Sequence, residues 1–253
     1  MSVSAATEGV YVYAILRAAT ALPKDAVGVG SPPAVLRVIR QGLLEAVVSD
    51  APPKLRARRR DLLAHQDLLM RLSDDGPVLP MRFGMVAADE QSVLAQLAAG
   101  ESGYADVLDR LAGRIEINVK VLPAQNALEA LVAEDKGVRQ LRAAARRTPG
   151  YEASLRLGEA IAGALTRRAA TAGQRILREL APAARASVPG PEVQGCVLNE
   201  SFLVDRAESE AFLQRAQSLG AEFREHAEIR PAGPLPCYSF VSAEARPVLV
   251  GGK

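Results

Sequence analysis

Histidine, cysteine and paired carboxylates are the residues that could do chemistry, and the 253-residue chain has two histidines and two cysteines. His65 falls on the edge of a leucine stripe, three residues after Leu62 and four before Leu69. Two readings stand for it: a half-buried ring hydrogen-bonded to a neighbour, or a contact residue in a partner site. His226 sits among Glu222, Glu225 and Glu228, the setting of a surface charge partner. A zinc or other transition-metal site needs several histidine or cysteine ligands at short spacing, and neither histidine has a second one. No metal site and no cofactor is expected. Cys196 and Cys237 form no disulfide or zinc pattern. Lying in apolar runs, they are expected as reduced thiols in neighbouring core strands. No serine stands on a glycine elbow. Asp74 with Asp75, and Asp89 with Glu90, fall at helix ends, where stop signals and the helix dipole account for them. Gly28 and Gly30 are followed by prolines, with no lysine–serine pair to make a phosphate loop. The chemistry-bearing residues therefore point away from an enzyme.

Charge and composition narrow the partners. The formal net charge is +2, so no global field recruits nucleic acid or an anionic membrane. Aromatic residues make up 4% and tryptophan is absent, which weakens any base-stacking role, and no nucleic-acid-binding module is visible. No apolar run approaches the roughly 18 residues a membrane span requires. Residues 1–8 lack the basic and apolar regions of a secretory signal. The expectation is a cytoplasmic protein without nucleic-acid or membrane partners. Charge is unevenly placed, however. Lys54, Arg56, Arg58, Arg59 and Arg60 cluster without an intervening acid. Residues 134–185 hold eleven basic against five acidic residues, and residues 195–244 hold four against eight. These are solvated faces or an electrostatically matched partner surface.

The elements that would position these residues can be read from spacing. Residues 76–84, GPVLPMRFG, read as a short strand entered and left by tight turns, and its two prolines place it at a sheet edge. Within it Arg82 alternates with Met81 and Phe83, giving one apolar and one charged face. Residues 10–16 read as an apolar strand, and residues 35–39 and 43–49 as a hairpin about Gln41 and Gly42. Leu55, Leu62, Leu69 and Leu72 mark a helical stripe, widened by Leu63 and Met70. Further helices are expected from Asp89 to near Gly100 and over 104–111, closed by Gly113. In residues 114–121 every second residue is apolar, the signature of a strand with one face packed. Helical sequence follows to Leu180, broken at Thr148, Pro149 and Gly150. Its later half carries an apolar stripe through Ile161, Leu165, Ala169, Ala172, Ile176 and Leu180. Gly158, Gly163 and Gly173 in that helix suggest close approach of a neighbouring backbone. Residues 181–192 read as a linker, 196–204 as a buried strand, 208–219 as a helix and 238–241 as a last strand before the tail. The chain is thus read as α+β in two domains, 1–113 and 114–253. The second is a modified ferredoxin-like antiparallel sheet with helices on one face.

The pairing of residues 59–69, RRDLLAHQDLL, with GPVLPMRFG resembles the hallmark of the gas vesicle protein F/L family, accessory proteins of intracellular gas-filled shells. Further pieces fit in order: VYVYAIL at 10–16, LLEAVVSD at 43–50, GRIEINVKV at 113–121, NESFLVDR at 199–206 and GPLPCYSF at 233–240. The last departs from the family at Leu235 and Cys237, where an aromatic residue and a second proline are usual. The resemblance implies two α+β domains and a non-enzymatic assembly factor or minor structural component of gas vesicles. Its partners would be the hydrophobic shell protein and other gas vesicle accessory proteins. The motif places Arg60, His65, Arg82 and Phe83 in the partner-binding region, with the edge strand offering backbone groups for strand addition. A ligand-binding regulatory ferredoxin-like module is the alternative, favoured by a closed pocket with converging polar groups.

Overall fold

Strand β1 (Val10–Arg17) is rich in β-branched and aromatic residues, and every residue from Val10 to Leu16 is buried, so neither face of that stretch reaches solvent. Such a strand belongs at the centre of a sheet. In the computed structural model, which describes residues 9–53, 55–124 and 127–241, it does lie there. β1 pairs antiparallel with β3 (Leu44–Asp50), itself paired with β2 (Arg37–Gln41). The register shifts between Val12 and Ala14, leaving Tyr13 as the extra residue of a bulge. The β2–β3 turn is Gly42–Leu43, with Gly42 at φ 58°, the left-handed geometry a two-residue hairpin requires.

Helix α1 (Arg59–Asp75) then leads to β4 (Val78–Pro80), which pairs with β1 at the edge of the order β2-β3-β1-β4, with β5 (Val86–Ala87) also on β1. The edge position expected from the prolines is the observed one. The strand is only three residues long, and all three are buried. Helix α2 (Glu90–Ala99) starts where the Asp89 carboxylate accepts the Ser92 N–H at 2.7 Å, a side-chain cap. α3 (Glu101–Leu111) follows, and Gly113, at φ 67°, turns the chain into β6 (Arg114–Pro123).

From β6 the chain makes α4 (Leu128–Glu134), α5 (Lys136–Arg147), α6 (Tyr151–Leu180), β7 (Ala186–Pro189), β8 (Leu198–Asp205), α7 (Ser209–Glu222) and β9 (Ala227–Leu235). The sheet order is β7-β8-β6-β9. That is the split βαβ arrangement expected of a ferredoxin-like layer, elaborated by extra helix between its first two strands. Both α6 and α7 pack on β8 and on each other, and the Phe202 and Phe212 rings meet at 5.2 Å across the α7–β8 contact.

The two edge strands are where the sequence misled. Residues 181–192, read as a linker, contain β7. The last strand is β9, whereas Tyr238–Phe240 forms a 3-10 turn. Pro189 in β7, and Pro231, Gly233 and Pro234 in β9, give these stretches a loop-like composition. Edge strands tolerate proline because one side of the backbone has no ladder to complete.

Contacts group the chain into two compact units: one runs to Glu116 and takes the chain back from Pro234, and the other is Ile117–Gly233. The two-domain division at 113/114 remains our proposal; the contact grouping differs from it in assigning the stretch after Gly233 to the first unit. That stretch is held there by Glu116, which is 4% exposed and accepts the Ser239 N–H at 2.9 Å and hydroxyl at 2.7 Å. Lys54 of the basic cluster and the tail beyond Val241 lie outside the described residues.

Other expectations are corrected by packing. The buried face of α1 is Asp61, His65, Leu68, Leu69 and Leu72, while Leu62 is 41% and Leu63 54% exposed. Leu69 and Leu72 of the leucine stripe are buried as expected, but Asp61 and His65 take the inward positions of the first turns in place of Leu62 and Leu63 because they find buried partners. Cys196 lies half-buried in the turn before β8 and Cys237 is buried after β9, so the thiols do not occupy neighbouring core strands. Of the α6 glycines, only Gly173 faces a close neighbour from another element, Leu198 of β8, whereas Gly158 is exposed with open space around it.

Two outcomes follow from these placements. Gly158→Ala should raise stability by about 0.5–1 kcal/mol, since glycine in an exposed helix interior costs about that much; a chemical-denaturation midpoint that is unchanged or lower would contradict this. In native protein a thiol reagent should modify Cys196 well before Cys237, as followed by mass spectrometry of the labelled peptides.

Candidate functional site

The residues of the sequence motif converge on a buried polar chain beneath one surface turn. His65, in the second turn of α1, is 2% exposed. Its Nε2 lies 2.9 Å from the Met81 carbonyl, which can only accept, so Nε2 carries the proton. Nδ1 is then an acceptor, and the Tyr11 hydroxyl 3.0 Å away donates to it. The same hydroxyl accepts the Gly84 N–H at 3.1 Å. The order is therefore Gly84 N–H to Tyr11 O–H to His65 Nδ1, and His65 Nε2–H back to Met81. Both ends of the turn 81–84 are tied to one histidine–tyrosine pair.

Local geometry makes the turn possible. The Met85 N–H reaches the Arg82 carbonyl at 3.3 Å, and Gly84 sits third in that four-residue turn at φ 89°. Glycine adopts this φ without strain. Met81 N–H donates to Tyr13 O, and Val12 N–H to Met85 O, both at 2.9 Å, so the turn is stitched to β1 on either side. Phe83 packs edge-on against His65 and Tyr11, with ring centroids 5.8 Å and 6.0 Å away.

A second polar group extends the network. The Tyr13 hydroxyl shares a hydrogen bond with Ser49 Oγ at 2.9 Å and accepts the Val29 N–H at 2.8 Å. Asp61, 4% exposed, accepts the Gly30 N–H at 3.0 Å and is gripped by the neighbouring Arg60 guanidinium, also at 3.0 Å. The loop through Gly30 is thus pinned to α1 and β1 by the same logic as the turn.

Electrostatics follows from burial. Desolvation holds the His65 pKa down at about 4, against the opposing hydrogen bond to Met81, so the ring is neutral at pH 7. Burial likewise pushes the Tyr11 and Tyr13 hydroxyls up, and they stay protonated. For Asp61, burial would raise the pKa, but the Gly30 N–H and the Arg60 and Arg58 charges outweigh it and hold the carboxylate below its ordinary range. Tyr11 and His65 have both of their polar functions occupied within the fold.

Of the four residues placed in a partner region by sequence, Arg60 and Arg82 are exposed, Phe83 is half-buried and His65 is buried. His65 is therefore not a half-buried edge residue. It lies at the centre of the packed face and supports the turn carrying Arg82 and Phe83 from beneath, while Arg60 is held by Asp61. Sequence reading missed Tyr11, Tyr13, Ser49 and Asp61. The signals were two tyrosines two apart in an otherwise aliphatic strand, and an aspartate one helical turn before His65. Among the described residues no group of histidine, cysteine and carboxylate side chains could hold a metal ion, and no helix is long and apolar enough to cross a membrane.

Fold and site together define a two-sheet α+β protein whose buried polar groups shape a surface turn. The chain belongs to the family of gas vesicle synthesis proteins GvpL/GvpF, whose sequence pattern matches residues 9–242. It is 40% identical over 235 residues to gas vesicle protein F of Streptomyces sp. (strain CB03234), covering 91% of this chain and 98% of that one. To gas vesicle protein L of the same strain it is 32% identical over 256 residues, 91% of each chain. Its fold is similar to the crystal structure of GvpF from Anabaena sp. PCC7120, with a TM-score of 0.73, 24% identity, and coverage of 93% of this chain and 98% of that one.

The neutral, buried His65 makes stability depend on pH in a defined direction. The unfolded ring takes up a proton near pH 6.5 and the folded one only near pH 4, so acidification between these values favours the unfolded state. The linked loss is about 3 kcal/mol, because each tenfold difference in proton affinity between the two states is worth roughly 1.4 kcal/mol. Denaturant titrations should show the stability gap between wild type and His65→Gln narrowing by about that amount as pH falls through this window. A gap independent of pH would show that His65 is not held neutral.

Proposed function

We propose that the protein is a non-enzymatic gas vesicle assembly factor or minor vesicle component that binds the hydrophobic shell protein. It would act in the cytoplasm and at the vesicle, alongside other gas vesicle accessory proteins. The contact surface is the turn carrying Arg82 and Phe83, with Arg60 nearby in the motif and His65 as its internal support. The observation that carries this reading is the locked turn. A buried histidine and tyrosine, hydrogen-bonded to each other, hold Met81 and Gly84 at the two ends of the turn, while Arg82 within it is left exposed. Such preorganisation lowers the ordering cost of binding.

The composition of the exposed groups suits an apolar partner. Leu62 and Leu63 are exposed on α1, Phe83 is half-buried, and Arg58, Arg59 and Arg60 add charge. Apolar contact with a charged rim is the ordinary anatomy of an interface. Side chains would make the contact. β4 is three residues long and buried, and offers an added strand little to pair with.

A pull-down between this protein and the shell subunit, with each variant's folding checked by thermal melt, tests the proposal. Arg82→Glu should weaken binding roughly tenfold or more, about 1.4 kcal/mol, and Arg178→Glu on α6 should leave it unchanged. A folded Arg82→Glu variant that binds like wild type removes the site. A wild-type chain that binds no shell subunit removes the function as well.

A further inference from the structure

A cleft in the second unit serves none of the roles above. It is an open cleft of about 450 Å³ beside α6, lined on its apolar side by Leu131, Ala164, Ala172 and Phe223. Three arginines of α6 line it: Arg167, Arg168 and Arg175. Arg168 and Arg175 are two helical turns apart and so share one face of the helix. Its volume is that of a small-ligand pocket.

The chemistry centres on Arg168, whose side chain is only 15% exposed. Its Nη2 pairs with Glu134 Oε2 at 3.0 Å. Its Nε and Nη2 face His226 Nδ1 at 3.3 Å and 3.1 Å, and Nδ1 must accept because a guanidinium only donates. The guanidinium plane is thereby fixed. Nη1 is buried and has no hydrogen-bond partner among the described residues. A buried donor of this kind is stabilised by an acceptor, most of all by an anionic oxygen.

The surrounding charges leave a surplus of the right sign. The Arg175 guanidinium lies over the Phe223 ring, 5.1 Å from its centroid, which positions it while leaving its edge for other partners. Arg167 is exposed beside it. Of the two acids at the cleft, Glu134 is taken up by Arg168, and Asp135 accepts the Val138 N–H at 3.0 Å as the cap of α5. The Thr171 hydroxyl donates back to the Arg167 carbonyl at 3.0 Å and adds no charge.

We propose that this cleft binds a small organic or inorganic oxyanion, a carboxylate or a phosphate. The oxyanion meets the exposed Arg167 and Arg175 guanidiniums and, through a small shift of the Arg168 side chain that brings its buried Nη1 to the cleft, that donor as well, and any apolar part of the ligand rests on the Leu131 and Phe223 floor. The site lies wholly within Ile117–Gly233 and does not depend on shell-protein binding.

Isothermal titration of the full chain with sodium phosphate and, separately, sodium glutarate tests this, with sodium chloride at matched ionic strength as the control. At least one anion should bind saturably at one site per chain, and the preferred one identifies the source as phosphate or carboxylate. Arg168→Gln should abolish that binding and Arg175→Gln should weaken it roughly tenfold, whereas Arg178→Gln should leave it intact. Arg175 is exposed, so its variant stays informative if Arg168→Gln fails to fold. Absence of saturable binding beyond chloride for both anions overturns the proposal, as does binding unaffected by Arg175→Gln.

Discussion

The hydrogen bonds that run from Gly84 through Tyr11 and His65 to Met81 are the constraint on which the first unit depends. They lie against an apolar cluster of Tyr11, Tyr13, Leu68, Leu69 and Leu72, where an unmatched polar group is costly. The Gly84 N–H can only donate and the Met81 carbonyl can only accept, so the direction of donation is fixed along the whole chain of bonds. The partners are far apart in sequence, with Tyr11 and His65 separated by 54 residues, so their meeting fixes strand, helix and turn at once. Each such bond contributes about 1 kcal/mol net, but breaking one strands two buried groups at about 1–3 kcal/mol each. The network is cooperative for that reason.

Its consequence for the surface is a turn that cannot drift. With Met81 and Gly84 held from beneath, the intervening Arg82 and Phe83 are presented in one conformation. The same device recurs at Gly30, held by the buried Asp61, whose charge is matched by Arg60 at the surface. Motif residues that look like a binding patch in the sequence thus divide into two kinds. His65 and Asp61 build the scaffold, and Arg60, Arg82 and part of Phe83 face outward.

The sheet edges have a related economy of design. A protein proposed to handle a hydrophobic, aggregation-prone partner must keep its own edges from pairing indiscriminately. β7 ends at Pro189, β9 carries Pro231 and Pro234, and β4 ends at Pro80. β2 has no proline, but Arg37 and Arg40 supply charge there and pair with Asp50 and Glu45 at 2.8 Å and 2.6 Å. Proline and arginine at these positions limit strand addition without adding any chemistry.

Local rules settled much of this fold. Asp89 as a helix cap, the glycine of the β2–β3 turn, Gly113 at the end of α3 and the alternation in β6 depend on backbone conformation and near neighbours, which sequence spacing encodes directly. The α+β class and the family motif were legible on the same ground. What spacing could not reveal was which polar residues would be buried. The leucine stripe of α1 pointed to Leu62 and Leu63, yet the helix turns Asp61 and His65 inward, because Gly30, Tyr11 and Met81 offer partners that only the folded chain brings within 3.0 Å. The proline-bearing strands β7 and β9 were hidden in the same way. Their composition says loop, and only the sheet beside them supplies the hydrogen bonds that make them strands.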